Sequence, residues 1–250
     1  MASVAGSLRC FGPVALLALS PLLGVAPASA AVSEGSCVIV EAGATWGFKE
    51  SFRAYISSSI AQGEWLVSGD VGYDTPDFVL TSGSGSLAPD LTSADVSFSG
   101  AIEFLGHGGI LDTTLADPRL TMTGTREALL TLDVTGDTME ELRVDLERVP
   151  FATVGWSESD VTLDSESGSW AVQGAVVTLT REGAEAFGTY PPGETLDPLS
   201  WNITTTPGCL EQPGLAWGWI LGGVAGLGVI LAAGMGAIAP GNKSRGPERP

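Results

Sequence analysis

Histidine occurs once in these 250 residues, at position 107. A multi-histidine zinc site is therefore excluded. The thiolate alternatives need closely spaced cysteines, and Cys10, Cys37 and Cys209 lie far apart. No C-x-x-C-H run is present, so covalent c-type haem attachment is excluded as well. Cations are scarce: 11 Lys and Arg stand against 29 Asp and Glu, for a net charge of −18. Such a chain is a poor partner for nucleic-acid phosphates, which need a basic face. Only 16% of the residues are charged, and mean hydropathy is +0.27. That combination points to apolar segments at the ends of a folded acidic middle.

Residues 1–30 have the layout of a signal peptide. Arg9 is the positive charge of its leading region, Val14 to Leu19 is the apolar stretch, and Ala28-Ser29-Ala30 is a small-residue cleavage site. Residues 215–239 form a second apolar block without a charge. At about 1.5 Å per residue that block is long enough to cross a bilayer as a helix. Trp217 and Trp219 sit at its outer edge, and Lys243, Arg245 and Arg249 follow it. The positive-inside rule then places residues 240–250 in the cytoplasm. The expectation is a single-pass cell-membrane protein whose extracellular domain spans 31–210. Residues 31–214 carry seven basic and 28 acidic side chains, a net charge of −21. Export permits disulfides. Cys10 leaves with the signal peptide, and Cys37 and Cys209 are expected to pair, closing a loop of about 170 residues.

Within the exported part, Phe48, Phe52, Tyr55, Ile56 and Ile60 recur at three- and four-residue spacing. The spacing predicts a helix from Trp46 to about Ile60, with Thr45 as N-cap and Gly63 as stop. A second short helix is predicted over Arg181–Phe187, ending at Gly188. Most other segments alternate as strands do: Val96 to Phe104 with a break near Gly100, Leu120/Met122, Leu130 to Val134, Val144/Leu146 and Val172 to Leu179. Many one-sided strands predict a mainly β domain, an antiparallel sandwich or open barrel with two short helices.

Chemistry-bearing residues are few. His107 stands in Phe104-Leu105-Gly106-His107-Gly108-Gly109, at the end of a strand. His-Gly-Gly resembles an esterase oxyanion loop, but that fold needs a G-x-S-x-G elbow and a later histidine. Gly155-Trp156-Ser157-Glu158-Ser159 lacks the final glycine, and no second histidine exists. No spacing singles out a pair of carboxylates for glycoside hydrolysis. The three tyrosines are Tyr55 on the predicted helix, Tyr73 in a predicted turn and Tyr190 after the second helix. A phenolate binds ferric iron, and tyrosine is a known axial haem ligand. An imidazole bonded to the phenol helps it ionise. One tyrosine and one histidine can therefore make a haem-iron site.

The segment Trp46-Gly47-Phe48-Lys49-Glu50-Ser51-Phe52-Arg53-Ala54-Tyr55-Ile56 resembles the opening signature of the HtaA-type haem-binding domain. That domain belongs to actinobacterial cell-surface haem-uptake proteins. Phe104 to Asp112 resembles its histidine segment, and Asp117-Pro118-Arg119 the element that follows. Leu179 to Tyr190 and Gly193 to Leu199 resemble its closing helix, tyrosine and G-x-x-L-D-P end. The resemblance spans about 43–200. It implies that Tyr55 binds ferric, non-covalent haem b, that His107 hydrogen-bonds Tyr55, and that Tyr190 supports binding. It also implies a surface receptor that takes haem from a haemoprotein donor or another surface protein and relays it to an ABC-type importer, without covalent chemistry on haem. Phe48 and Phe52 are expected to form an apolar floor, and Lys49, Arg53 and Arg119 are candidate propionate partners. Two rival readings share the scaffold: a haem-free envelope or adhesion protein, and a membrane-anchored secreted hydrolase.

Overall fold

A computed structural model describes residues 35–137 and 143–211. The predicted signal peptide, membrane span and cytoplasmic tail lie outside the described residues. Among the described residues no helix is long and apolar enough to cross a membrane.

Chain order runs β1 (Cys37–Trp46), α1 (Glu50–Ile56), β2 (Glu64–Gly69), β3 (Val71–Asp74), β4 (Asp77–Leu80), β5 (Ser84–Leu87), β6 (Ala94–Ser97), β7 (Gly100–Gly106), β8 (Leu111–Gly124), β9 (Glu127–Asp137), β10 (Arg143–Gly155), β11 (Val161–Asp164), β12 (Ser169–Leu179), α2 (Arg181–Phe187) and β13 (Leu199–Thr205). The mainly β, antiparallel expectation with two short helices holds. The barrel, however, is closed rather than open. Pairings run β1-β13-β12-β10-β9-β8-β6-β5 and return to β1, every one antiparallel. Closure removes the free edges that an open sheet exposes. Three additions hang on this ring: β2 and β7 on β8, β4 and β3 on β1, and β11 on β12.

Alternation along the ring strands sends one face inward. Phe104, Leu115, Leu132, Val134, Phe151, Val154, Val177 and Ile203 are buried in a single core. That core is graded from end to end. Trp156, Trp170 and Trp201 touch edge to face or tilted near one end, with ring centroids 5.1–6.3 Å apart. Phe48, Phe52, Phe104 and Phe187 form the cluster at the other end, where both helices sit.

The first helix is shorter than its apolar periodicity predicts. The strand β1 continues through Trp46, because that residue pairs with Leu199 and Phe78. Phe48 then takes a left-handed φ of 61°. This conformation costs a non-glycine residue of order 1 kcal/mol. The turn is held because the Phe48 ring is fully buried. Lys49, not Thr45, occupies the N-cap position, and Ser57 the C-cap, so Ile60 falls past the helix and is 71% exposed. The break near Gly100 separates two strands, β6 and β7, rather than marking a bulge in one. Tyr73 lies on β3, not in a turn. The second helix matches its prediction: Thr180 caps it by accepting from the Gly183 N–H at 2.9 Å, and Gly188 ends it with φ 69°.

Cys37 and Cys209 are joined by a disulfide, with Cα atoms 5.7 Å apart across 172 residues. In the chain-entropy account a loop this long stabilises by about 5 kcal/mol, the top of the usual range. We expect Cys37→Ala/Cys209→Ala to lower the urea midpoint of unfolding and to raise the m-value, because the freed chain unfolds to a more exposed state; an unchanged midpoint refutes a stabilising role for the bridge. Gly183 packs α2 on β10, where an added Cβ would stand 2.1 Å from the Phe151 carbonyl oxygen. Gly183→Ala should therefore destabilise by about 1–3 kcal/mol despite alanine's better helix propensity, as read by the same titration.

Candidate haem site at the helical pole

The site forms where three segments meet. Helix α1 carries Ser51, Phe52 and Tyr55 on one side, since residues three and four apart stack along one face. The turn after β7 carries His107. The turn after α2 carries Tyr190. The His107 backbone N–H donates to the Ala61 carbonyl at 2.7 Å, which ties its turn to the segment after α1. His107 has a left-handed φ of 52°, and Gly108 and Gly109 follow with φ 67° and 96°. A Cβ added at either glycine would meet nothing within 4 Å, so the turn is open to an approaching ligand.

Tyr55 Oη and His107 Nε2 lie 2.5 Å apart. Both residues are half-buried, so the pair reaches the surface. The Tyr55 ring rests on Phe52, with centroids 6.4 Å apart. Tyr190 rests on the same Phe52 at 6.4 Å and stacks on Phe187 at 6.2 Å with an interplanar angle of 11°. Tyr190 Oη and Ser51 Oγ are 3.2 Å apart. Ile60 is next to Ala61 in the chain, and Ile110 is three residues past His107; they are 71% and 56% exposed. Two uncovered isoleucines beside a phenol–imidazole pair suit a flat, largely apolar ligand that carries a ferric ion. The donor set fits as well, since a phenolate is a hard anionic ligand. Among the described residues no group of three or more His, Cys, Asp or Glu side chains could hold a bare metal ion.

The structure thus brings Tyr55, His107 and Tyr190 together over Phe52. Other predicted residues lie elsewhere. Phe48 and Phe52 are 0% and 1% exposed. They form a layer under the tyrosines instead of a floor open to the pocket. Arg53 turns the other way: Nη2 donates to Asp197 at 3.0 Å and Nη1 to the Tyr73 hydroxyl at 3.4 Å. Burial alone would pull this guanidinium down, but its hydrogen bonds to Asp197 and Tyr73 outweigh that and hold it above its ordinary value. Gly47 leaves room for the pair, since a Cβ there would stand 2.5 Å from Asp197 Oδ2. Lys49 donates to Glu194 at 2.6 Å and lies 5.6 Å from the centre of the Tyr190 ring.

Arg119 is far from the pair. It stands eight residues beyond Leu111 on β8, about 26 Å along the strand at 3.3 Å per residue. Its guanidinium is bound by the Asp95 carboxylate, which raises it above its ordinary value. Ser157 donates to Asp160 at 2.6 Å and caps a short turn, so it is not set as a nucleophile on the histidine. Two contributors escaped sequence reasoning. Ser51 carried a usable signal, one helical turn before Tyr55. Ala61 acts only through its backbone carbonyl and left none.

Known proteins share sequence and fold with this chain. The family model HtaA matches residues 41–202. The crystal structure of the C-terminal domain of HtaA from Corynebacterium glutamicum superposes with a TM-score of 0.62 at 31% identity, covering 68% of this chain and 99% of that one. The N-terminal domain of the same protein gives 0.56 at 25% identity, over 70% and 99%. The haem-binding protein HtaB of that organism gives 0.53 at 22% identity, over 68% and 96%, a likeness of fold. No curated protein matches the chain. With the family model covering most of the folded residues, the chain belongs to the HtaA family.

Proposed function

We propose that the domain binds ferric haem b reversibly at the Tyr55–His107 pole, and that the protein is a membrane-anchored extracellular receptor that relays haem to an importer. The observation that carries the reading is the 2.5 Å phenol–imidazole contact at the surface, beside uncovered Ile60 and Ile110. Family membership supports it, as does the shared fold with a haem-binding protein. The apolar block at 215–239, with Lys243, Arg245 and Arg249 after it, supports the anchor.

Haem is the cargo here, and its iron supplies a Lewis acid. For Tyr55 Oη to become an iron ligand its proton has to leave. His107 Nε2 is in place to accept it. The imidazole then donates an N–H back to the phenolate oxygen and stabilises the bound form. Return of that proton to Oη weakens the ligand, so one pair of groups serves both uptake and release. Two features oppose loss to water: the aromatic layer of Phe52 and Phe187, and the isoleucines at the rim. The Tyr190 and Ser51 hydroxyls stand on the same side as polar partners for the haem edge.

Haemin titration of the purified domain tests this reading. Tyr55→Phe keeps the ring packing on Phe52 and removes only the ligand oxygen. It should lose the parent visible spectrum and weaken binding at least about a hundredfold, about 2.8 kcal/mol. His107→Ala leaves the ligand but removes one charge-assisted hydrogen bond, worth about 1.5–3 kcal/mol, so it should weaken binding about 10- to 100-fold. An unchanged spectrum and affinity in Tyr55→Phe refutes the ligand assignment. A domain that stays colourless with haemin favours the adhesion reading.

A further inference from the structure

We infer that the Tyr55–His107 pole faces away from the membrane, so that the exchange partner must be a protein projecting above the lipid surface. The inference rests on reading residues 215–239 as a span. Its geometric basis is that β1 separates two functions. The Cys37 end of β1 is bonded to Cys209. The Glu211 N–H donates to the Pro89 carbonyl at 2.8 Å, so the chain is held at this pole up to its last described residue. Four Cα steps, from Glu211 to Leu215, reach at most about 14 Å. The Trp46 end of β1 leads into Phe48, Phe52 and then Tyr55 through successive ring contacts of 5.2, 5.7 and 6.4 Å. The nine steps of β1 span about 30 Å. A tether of about 14 Å cannot bring the far end of such a strut down to the bilayer while the domain stands upright.

The flank built by β2, β7, β8, β9 and β10 disfavours a domain lying on that side. Residues paired across strands point to the same face. Glu64 pairs with Leu105, Leu105 with Asp112, Asp112 with Asp137, and Asp137 with Arg143, the one cation of the two rows. In the next row Leu66 pairs with Glu103, Glu103 with Thr114, Thr114 with Thr135, and Thr135 with Asp145. Their neighbours Phe104, Leu115 and Val134 face the core. The outer face of β2-β7-β8-β9-β10 therefore carries five of these carboxylates, which anionic headgroups repel. At the tethered pole Val38 and Val40 are 51% and 70% exposed, and apolar side chains there meet the interface at little cost.

A partner that takes haem at this pole must itself hold a haem site roughly 20–25 Å above the lipid, the rise of a strand as long as β1 at the tilt of a closed barrel. A water-soluble carrier or a tall extracellular domain meets that requirement. The mouth of a transporter flush with the bilayer does not.

The test is energy transfer in the full-length chain. The protein is reconstituted in phosphatidylcholine/phosphatidylglycerol vesicles containing a headgroup-labelled acceptor lipid. A donor dye is placed on Ser93→Cys, beside the tethered pole, or on Ser59→Cys, beside the Tyr55–His107 pole; Ala54→Cys on α1 is a second position at that pole. All three parent residues are exposed. Transfer from Ser93→Cys should exceed that from Ser59→Cys and Ala54→Cys severalfold at every acceptor density. Equal or greater transfer from either far position, in protein that floats with the vesicles, overturns the orientation alone. Protein that does not float overturns the span, and the orientation with it.

Discussion

Burying the ring of Phe48 decides where β1 stops and α1 begins. The residue sits at a left-handed φ of 61° that its side chain does not favour. In return it contacts Trp46, Phe52, Phe104, Phe151 and Phe187, at centroid distances of 5.2 to 6.4 Å. Those partners come from β1, α1, β7, β10 and α2. One side chain therefore joins every element that borders the site. Aromatic pairs of this kind add about 0.5–1.5 kcal/mol each beyond the area they bury, so five contacts readily outweigh the backbone strain. Tyr55 inherits its position from this layer through Phe52. His107 inherits its own from β7, the strand that carries Phe104, as the first residue past its end. The 2.5 Å contact between them is a consequence of the layer beneath.

The charge distribution around the pole follows the same economy. Folding engages the two nearest cations internally: Lys49 with Glu194, and Arg53 with Asp197 and Tyr73. Arg53 and Asp197 have side chains only 11% and 21% exposed, so parting them would leave a partly desolvated charge unpaired. These ion pairs pin α1 to the segment before β13 and keep the helix from rotating. Retention of a haem would then depend on the iron ligand and the apolar rim, not on a strong propionate salt bridge. That suits a chain whose net charge of −18 would repel an anionic ligand at long range, and it suits the reversible binding proposed above.

Much of this was legible in the sequence, and the unreadable part has a common cause. The strands β8, β9, β10 and β12 show clear alternation because each buries one face. The second helix was readable to the residue because its signals are local: Thr180 before it and Gly188 after it. The identity of the Tyr55–His107–Tyr190 set came from the order of motifs matching a known family, and the geometry then brought the three together. What could not be read is long-range. The apolar spacing of Phe48, Phe52, Tyr55 and Ile60 is helical, but β1 competes for Trp46 through its pairing with Leu199, more than 150 residues away. Barrel closure through β13 has no local signature either. Arg119 is a candidate propionate partner in the sequence because cations are scarce, and only strand register shows that Asp95 holds it at mid-barrel.

The graded core makes the two ends of the barrel energetically separable. Tryptophans and the disulfide consolidate the end where the chain enters and leaves; phenylalanines and both helices build the other. Sites more than about 7–10 Å apart without shared partners contribute to stability nearly additively. Loosening the Cys37–Cys209 end should therefore lower global stability without moving Tyr55 relative to His107, because among the described residues the rings of Trp156, Trp170 and Trp201 contact one another and not the phenylalanines. Within the helical pole the opposite holds. Phe48, Phe52 and Phe187 touch one another, so their effects on stability and on the site are coupled. An arrangement of this kind lets the binding end tolerate strain at Phe48 and His107, because the closed ring of strands, not the site, carries most of the fold.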